Sequence, residues 1–246
     1  MIIQQHSTDI ETPTGTMRTY VYRPQVSGKF PTIVFYSEIF QQTAPIARTA
    51  ALMAGHGFVV LVPEVFHELN PIGTVLGYDD AGKDKGNQDK WAKPLEHHDS
   101  DTQALVNFIQ QQQDYCSGKI GTMGVCIGGH LAYRAALNKS VLAAACLYAT
   151  DIHSGDLPSA EGNDSLTRTK DISAELMMIW GKQDPHIPDE GRMMIHKNLI
   201  ASGNLFSWHE FNASHAFMRD EGERYDPQLA LRVYGMSVEL FNRTLA

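Results

Sequence analysis

The residues best placed to do chemistry lie in the hexapeptide GVCIGG, residues 124–129, where a short apolar run meets an amphipathic helical pattern. A side chain on a sharp turn between a strand and a helix is lifted above the sheet edge in a strained backbone geometry. The positions two before and two after Cys126 must be small, and both are glycine. The pattern predicts a nucleophile elbow with Cys126 as nucleophile and the Ile127 backbone N–H as an oxyanion donor. The competing interpretation is a buried cysteine beside a glycine-rich turn.

A thiol nucleophile needs a base and an acidic group that orients the base. Asp184 follows the apolar run 175–180, and His215 follows the run 204–211. Taken singly, Asp184 could simply begin a turn before a proline, and His215 could be an exposed loop histidine. Together, nucleophile, acid and histidine occur in the chain order that α/β-hydrolases use, each just after a predicted strand. We therefore expect a triad of Cys126, Asp184 and His215.

The elements that would position these residues follow from hydrophobic periodicity. The predicted strands are 17–23, 31–36, 58–62, 119–123, 141–148, 175–180 and 204–211. The predicted helices are 44–55, 95–113, 127–137, 189–202 and 227–243. Strands that alternate with helices indicate an α/β fold with a mostly parallel central sheet flanked by helices on both faces. In such sheets, functional residues gather beyond the carboxyl ends of the strands.

The chain shows no internal repeat and no linker, so its 246 residues are expected to form a single domain, 1–246. Two long polar stretches, at about 67–94 and 151–173, interrupt the alternation and show no clear period. Both follow predicted strands, which would place them over the catalytic edge of the sheet. We expect polar cover loops that shape the substrate pocket, with plain mobile insertions as the alternative.

Composition narrows the class of protein. A formal net charge of −8 without a basic run argues against a nucleic-acid-binding surface. No apolar stretch of about 18 residues indicates a membrane-spanning helix, and the N-terminus lacks a signal-peptide pattern. Three cysteines are too few for a disulfide framework. We expect a cytoplasmic monomer or small homo-oligomer that acts on a small-molecule substrate, with neither nucleic acid nor membrane as partner.

One further cluster, the run 97–101 (HHDSD), contains residue types that bind metals. Adjacent residues on a helix point in different directions, so this run does not build one site. We expect no metal and no cofactor.

Three motifs together, GVCIGG, GKQDPHIP and ASHAF, resemble the dienelactone hydrolase family of α/β-hydrolases. The resemblance covers about residues 8–243. It implies the α/β-hydrolase fold and a Cys–His–Asp triad on Cys126, His215 and Asp184.

The resemblance also assigns roles to residues outside the triad. It implies that Glu38 contacts the resting nucleophile and that the Ile39 backbone N–H forms part of the oxyanion hole. It further implies that Arg219 grips a substrate carboxylate. Without it, Glu38 would be a solvated loop carboxylate and Arg219 a surface arginine in an acidic run.

One departure from the family pattern concerns the substrate. The family's second substrate arginine would fall in 67–94, which contains no arginine. A lysine could take its place, although it lacks the bidentate fork of arginine. The candidates are Lys83, Lys85, Lys90 and Lys93.

The chemistry that these residues could perform is hydrolysis through a thioester. A free thiol is mostly protonated at neutral pH, so His215 would take its proton as the sulfur attacks an ester or lactone carbonyl. Water activated by His215 would then hydrolyse the acyl-enzyme. We hypothesise that Glu38 keeps the resting thiol protonated until substrate displaces the carboxylate.

Three functions are consistent with these residues. The first is a cysteine-dependent hydrolase of lactones or small esters, with a carboxylate on the substrate if Arg219 is a clamp. The second is a general carboxylesterase or thioesterase with the same triad. The third is a non-catalytic ligand-binding or thiol-sensing protein, which would not need Asp184 and His215.

Overall fold

The computed structural model describes residues 1–160 and 165–246. Its strands are β1 (Ile3–Thr12), β2 (Gly15–Pro24), β3 (Phe30–Tyr36), β4 (Val59–Pro63), β5 (Cys116–Val125), β6 (Val141–Leu147), β7 (Glu175–Gly181) and β8 (Phe206–Phe211). Its helices are α1 (Ala44–Gly55), α2 (Asp80–Ala92), α3 (Leu95–Gln111), α4 (Ile127–Ala135), α5 (Asp189–Ala201) and α6 (Pro227–Thr244). Among these described helices, none is both long and apolar enough to span a lipid bilayer.

The strands form one sheet in the order β1-β2-β4-β3-β5-β6-β7-β8. The pairs β1–β2 and β2–β4 are antiparallel, and every other neighbouring pair is parallel. The predicted α/β architecture with a mostly parallel sheet is therefore confirmed. Because parallel strands end at the same edge, the loops after β3, β5, β6, β7 and β8 meet there.

The central strands are apolar along their length because helices cover both faces of the sheet. On β5, a Cβ atom at Gly121 would lie 2.7 Å from the ring of Phe241 on α6. The next residue, Thr122, donates its hydroxyl to the Ala132 carbonyl on α4 at 3.0 Å. Neighbouring strand residues point to opposite faces. Helices α4 and α6 therefore lie on opposite sides of the sheet, as predicted.

The first strand has no counterpart among the predicted elements. It pairs with β2 over all ten residues, from Ile3 opposite Pro24 to Thr12 opposite Gly15. Most of its side chains are polar and at least partly exposed. An edge strand with this composition carries no apolar alternation, so periodicity did not reveal it.

The structure corrects the expectation that 67–94 is a loop without helical structure, because α2 occupies much of this segment. Asp79 caps the helix, and its Oδ1 accepts a hydrogen bond from the Gly82 backbone N–H at 2.8 Å. The buried residues of α2 are Gly82, Gly86 and Asp89. Since no large apolar side chain is buried, the helix lacks the apolar stripe by which sequence patterns are recognised.

The second predicted cover loop, 151–173, lies partly outside the described residues, which exclude 161–164. Within the described part, Thr167–Asp171 forms a short 3-10 helix. The start of the segment, at Asp151, adjoins the carboxyl edge of the sheet directly after β6. Asp151 also lines a cavity at that edge.

Candidate active site

Cys126 lies on the turn between β5 and α4 with φ 59° and ψ −126°, a region that L-residues rarely adopt. The turn is possible because its neighbours are glycines. A Cβ at Gly124 would lie 1.8 Å from the Gly128 carbonyl oxygen, and a Cβ at Gly128 would lie 2.2 Å from the Tyr36 carbonyl oxygen. The Cys126 backbone N–H donates to the Leu147 carbonyl at 3.1 Å. The local geometry is thus that of the predicted elbow, and the thiol is partly exposed.

Asp184 and His215 come together from neighbouring strand ends. Oδ2 of Asp184 accepts a hydrogen bond from Nδ1 of His215 at 2.6 Å, and both side chains are buried. Oδ1 of Asp184 accepts the His186 backbone N–H at 2.9 Å, which fixes the carboxylate. A Cβ at Gly181 would lie 2.5 Å from the Ala213 carbonyl oxygen, so glycine allows the two loops to approach.

The environment of His215 favours its charged form. Burial alone would lower the pKa of His215, but the charge of Cys126 and hydrogen bonds with Asp184 and Cys126 outweigh burial. Together they raise the pKa of His215 to about 10. The rings of Tyr148 and His186 pack edge-on against the imidazole, with centroids at 5.3 Å and 4.7 Å. The three predicted triad residues therefore interact in the fold.

The two predicted oxyanion donors follow the ends of β3 and β5. The Ile127 N–H belongs to the first turn of α4, where backbone donors have no partner within the helix. Ile39 follows Glu38 and lines the same cavity as Cys126. Helix α2 presses on this loop, because a Cβ at Gly86 would lie 2.7 Å from the Ile39 carbonyl oxygen.

Glu38 is buried, with 4% of its surface exposed. Burial raises the pKa of the Glu38 carboxyl, although Tyr78, Arg219 and His215 favour its charged form. Oε2 lies 4.0 Å from a guanidinium nitrogen of Arg219. Glu38 is therefore not a solvated loop carboxylate.

Arg219 lies at the cavity wall rather than on an open surface. Its guanidinium stacks over the Tyr78 ring at 4.1 Å from the centroid, and its Nε donates to the Glu221 carbonyl at 3.0 Å. The side chain is 16% exposed. It can therefore present charge to a molecule in the cavity.

A cavity of about 650 Å³ opens above Cys126. Two of the four candidate lysines, Lys83 and Lys90, line it, and Lys90 forms an ion pair with Asp151 at 3.0 Å. The other two point to different partners. Lys85 pairs with Asp89, and Lys93 is buried against Asp101. The cavity is lined by Glu38, Ile39, Phe40, Tyr78, Asp79, Asp80, Lys83, Asn87, Lys90, Cys126, Thr150, Asp151, His186, His215, Ala216, Arg219 and Arg224.

Sequence patterns missed Tyr78 and assigned no role to Gly181, the first residue of GKQDPHIP. Tyr78 lies in a segment without period, and only its fold-dependent contacts with Glu38 and Arg219 mark it. Gly181 directly precedes the acid loop, and its short distance to the Ala213 carbonyl depends on the pairing of β7 and β8. A glycine between a strand and an Asp-containing loop was the available signal.

The model of the dienelactone hydrolase family matches residues 17–245. The chain belongs to the dienelactone hydrolase family. As a member of this family, the protein is a hydrolase that acts on ester bonds.

Individual relatives agree with this assignment. A Saccharomyces cerevisiae protein named "Putative carboxymethylenebutenolidase" is 39% identical over 257 residues, covering 100% of this chain and 93% of the relative. The carboxymethylenebutenolidase of Pseudomonas putida is 26% identical over 197 residues, covering 79% and 78% of the two chains.

Solved structures agree on the fold of this family member. The "Putative Dienelactone Hydrolase" of Klebsiella pneumoniae superposes with a TM-score of 0.86 at 19% identity, covering 99% of this chain and 100% of the other. The predicted α/β-hydrolase fold is thereby confirmed.

Proposed function

We propose that this protein hydrolyses lactones or small esters through a thioester acyl-enzyme on Cys126. The observation that carries the proposal is the contact of His215 with both Cys126 and Asp184 at the wall of one cavity. A strained elbow, a buried base and a buried orienting acid have no combined use in a protein that only binds ligands. The same argument counts against a thiol sensor.

In the proposed reaction, Asp184 holds Nδ1 of His215, which leaves Nε2 as the proton-transferring atom. Once substrate has displaced Glu38, His215 takes the proton of the Cys126 thiol, and its high pKa beside the charged sulfur supports this imidazolium–thiolate pair. The sulfur attacks the carbonyl carbon, and the Ile39 and Ile127 amides stabilise the oxyanion. As the tetrahedral species collapses, the imidazolium protonates the departing alkoxide. A water molecule activated by neutral His215 then cleaves the thioester.

Glu38 has a proposed role in the resting enzyme. Its buried carboxylate adjoins the site of the thiol and faces Arg219 at 4.0 Å. A negative charge beside the sulfur opposes thiolate formation. We propose that Glu38 keeps the resting thiol protonated, and that an anionic substrate that binds Arg219 displaces the carboxylate.

The proposed substrates carry a carboxylate. Arg219 lines the cavity beside Glu38, and Lys83 on α2 also lines it. Lys83 thus takes the place of the missing second arginine better than Lys85 or Lys93, which pair with carboxylates elsewhere. A thiol nucleophile would also favour a reducing compartment such as the cytoplasm.

Turnover of an activated aryl ester tests the nucleophile. Over many cycles the wild type should hydrolyse the ester, and Cys126→Ala and His215→Ala should abolish the activity. Cys146→Ala, which removes a buried thiol on β6, is the matched control and should retain it. Only stoichiometric modification of the wild type, without turnover, would reject the proposal in favour of a thiol sensor.

Substrate charge is tested with paired neutral and anionic esters of the same leaving group. Arg219→Ala should lower kcat/KM for the anionic ester by about tenfold or more and for the neutral ester by much less. Arg232→Ala is the control, because Arg232 contacts Phe211 away from the cavity. Equal losses on both esters would favour a general carboxylesterase.

A further inference from the structure

A buried carboxylate oxygen at the cavity is left without a partner in the part of the chain that the structure describes. Oε1 of Glu38 is inaccessible to solvent and has no hydrogen-bond partner among the described residues. A buried carboxylate oxygen without a donor is costly, so a nearby donor is expected to serve it in some state of the enzyme. The Tyr78 hydroxyl lies next to this carboxylate.

Contacts on three sides fix the Tyr78 ring. Its hydroxyl lies 2.7 Å from Oγ1 of Thr43. Its edge packs against the Phe40 ring with centroids 4.8 Å apart, and the Arg219 guanidinium covers its face at 4.1 Å. The phenol oxygen can therefore move little, whereas its hydrogen can still rotate.

Thr43, the hydrogen-bond partner of Tyr78, does not use its side chain as a helix N-cap residue usually does. Thr43 stands at the N-cap of α1, where a threonine hydroxyl normally accepts a backbone N–H of the first helical turn. Here the side chain makes no capping hydrogen bond. Its hydroxyl bonds to Tyr78 instead, so Thr43 can donate to the phenol oxygen and leave the phenol hydrogen free for a second acceptor.

The Glu38 carboxylate is the acceptor next to the free phenol hydrogen of Tyr78. Burial and the adjacent Glu38 charge raise the pKa of Tyr78, so it remains a donor throughout the pH range of the enzyme. In the present conformation the phenol bonds to Thr43 and lies within hydrogen-bonding reach of the Glu38 carboxylate, although the Oε1 atom itself has no partner within the described chain. Rotation of the phenol hydrogen would direct it to the carboxylate.

We propose that Tyr78 is a positioning residue whose hydroxyl, oriented by Thr43, donates to the Glu38 carboxylate and controls its charge and direction beside Cys126. The proposal rests on the proposed function of Cys126 as the nucleophile. It assigns Tyr78 no contact with the reacting atoms.

Several other groups also face Glu38 and influence its charge. The cationic groups among them are Arg219, Arg224 and the protonated His215. The remaining ionisable groups are Tyr148 and Cys126. None of these is altered by removal of the Tyr78 hydroxyl, so Tyr78→Phe isolates one hydrogen bond.

The rate of Cys126 alkylation by iodoacetamide, measured against pH, tests the proposal without requiring turnover. In the wild type, alkylation should slow over the pH range in which Glu38 ionises, which gives a step in the profile. Loss of a donor to the charged carboxylate raises the pKa of Glu38, so this step should lie about one pH unit higher in Tyr78→Phe. Within that window the variant should be alkylated about three- to tenfold faster than the wild type. Thr43→Val should shift the step in the same direction by a smaller amount.

Two controls separate the proposed role from a loss of packing. Tyr20→Phe removes a tyrosine hydroxyl that donates to another buried glutamate, Glu64, at 2.9 Å, and should leave the profile unchanged. In a Glu38→Gln background the step should be absent, and adding Tyr78→Phe should change nothing further. A Tyr78→Phe profile that matches the wild type, shifts downward, or changes equally in the Glu38→Gln background overturns the proposal.

Failure of this inference differs from failure of the proposed function. If the wild type does not turn over esters but the profiles shift as described, only the hydrolase mechanism fails. If esters are turned over and Tyr78→Phe has the wild-type profile, only the role of Tyr78 fails.

Discussion

Nδ1 of His215 lies 2.6 Å from Oδ2 of Asp184, and both side chains are almost completely buried. Asp184→Asn would replace this acceptor by an amide that can hold the imidazole in the wrong tautomer. We expect kcat for an activated ester to fall by about a hundredfold or more, and the melting temperature to fall as well, because the amide no longer favours the charged imidazole. Asp114→Asn, at an exposed position, should retain full activity. Comparable activity in both variants would contradict the orienting role of Asp184.

The raised pKa of His215 predicts a pH-dependent stability. Its folded value of about 10 exceeds the ordinary value of 6.5, so protonation stabilises the fold. The part of this contribution that comes from the hydrogen bond with Asp184 is complete below pH 6.5 and is lost as pH rises through the folded pKa. The part that comes from Cys126 requires a charged sulfur and adds no net proton when the thiol itself supplies the proton. Urea unfolding between pH 7 and 10 should show a steeper loss for the wild type than for His215→Asn. Parallel declines would show that His215 is not protonated in the folded protein.

Gly86 brings helix α2 into close contact with the loop after β3 that contains Ile39, the proposed oxyanion donor. A Cβ there would lie 2.7 Å from the Ile39 carbonyl oxygen, so Gly86→Ala must displace the loop. Loss of one oxyanion donor lowers kcat by about a hundredfold or more, and we expect a partial displacement to cost about tenfold.

The control for this variant is Gly235→Ala, in the middle of α6, where a Cβ meets nothing within 4 Å. It should raise the unfolding free energy by about 0.5–1 kcal/mol with unchanged kcat, because alanine favours helix over glycine. If Gly86→Ala is as active as Gly235→Ala, the loop does not depend on α2.

The ionised Glu38 carboxylate is expected to lower the free energy of unfolding. Burial raises the pKa of its carboxyl above the ordinary value of 4.5, so the cost grows as pH rises above that value. Glu38→Gln should raise the melting temperature by about 2–4 °C at pH 8 and have little effect near pH 4.

Glu64→Gln is the matched control for this stability change. The Glu64 carboxylate is also buried but accepts hydrogen bonds from the Tyr20 hydroxyl and the Gly73 N–H, both at 2.9 Å. Burial raises the pKa of the Glu64 carboxyl as well, but its hydrogen bonds are made, so its replacement should stabilise the protein less than Glu38→Gln does. Equal stabilisation by both replacements would show that burial alone, and not the missing partner, sets the cost at Glu38.

The sequence alone determined the features that depend on local geometry. The elbow needs small residues two positions on either side of Cys126, and these are neighbours in the chain as well as in space. The central strands were recognisable because a strand covered on both faces must be apolar at every position. Asp184 and His215 could be assigned because parallel strands end at one edge, which brings loops distant in sequence to one place.

Only the tertiary structure determined which residues line the cavity. Helix α2 packs through Gly82 and Gly86, so its contact with the loop that contains Ile39 leaves no apolar period in the sequence. Its rotation directs Lys83 and Lys90 into the cavity and Lys85 towards Asp89. The position of Tyr78 likewise depends on packing between separate segments. Contacts of this kind are set by backbone approach and by the chain path, and a pattern of residue types along one segment cannot encode them.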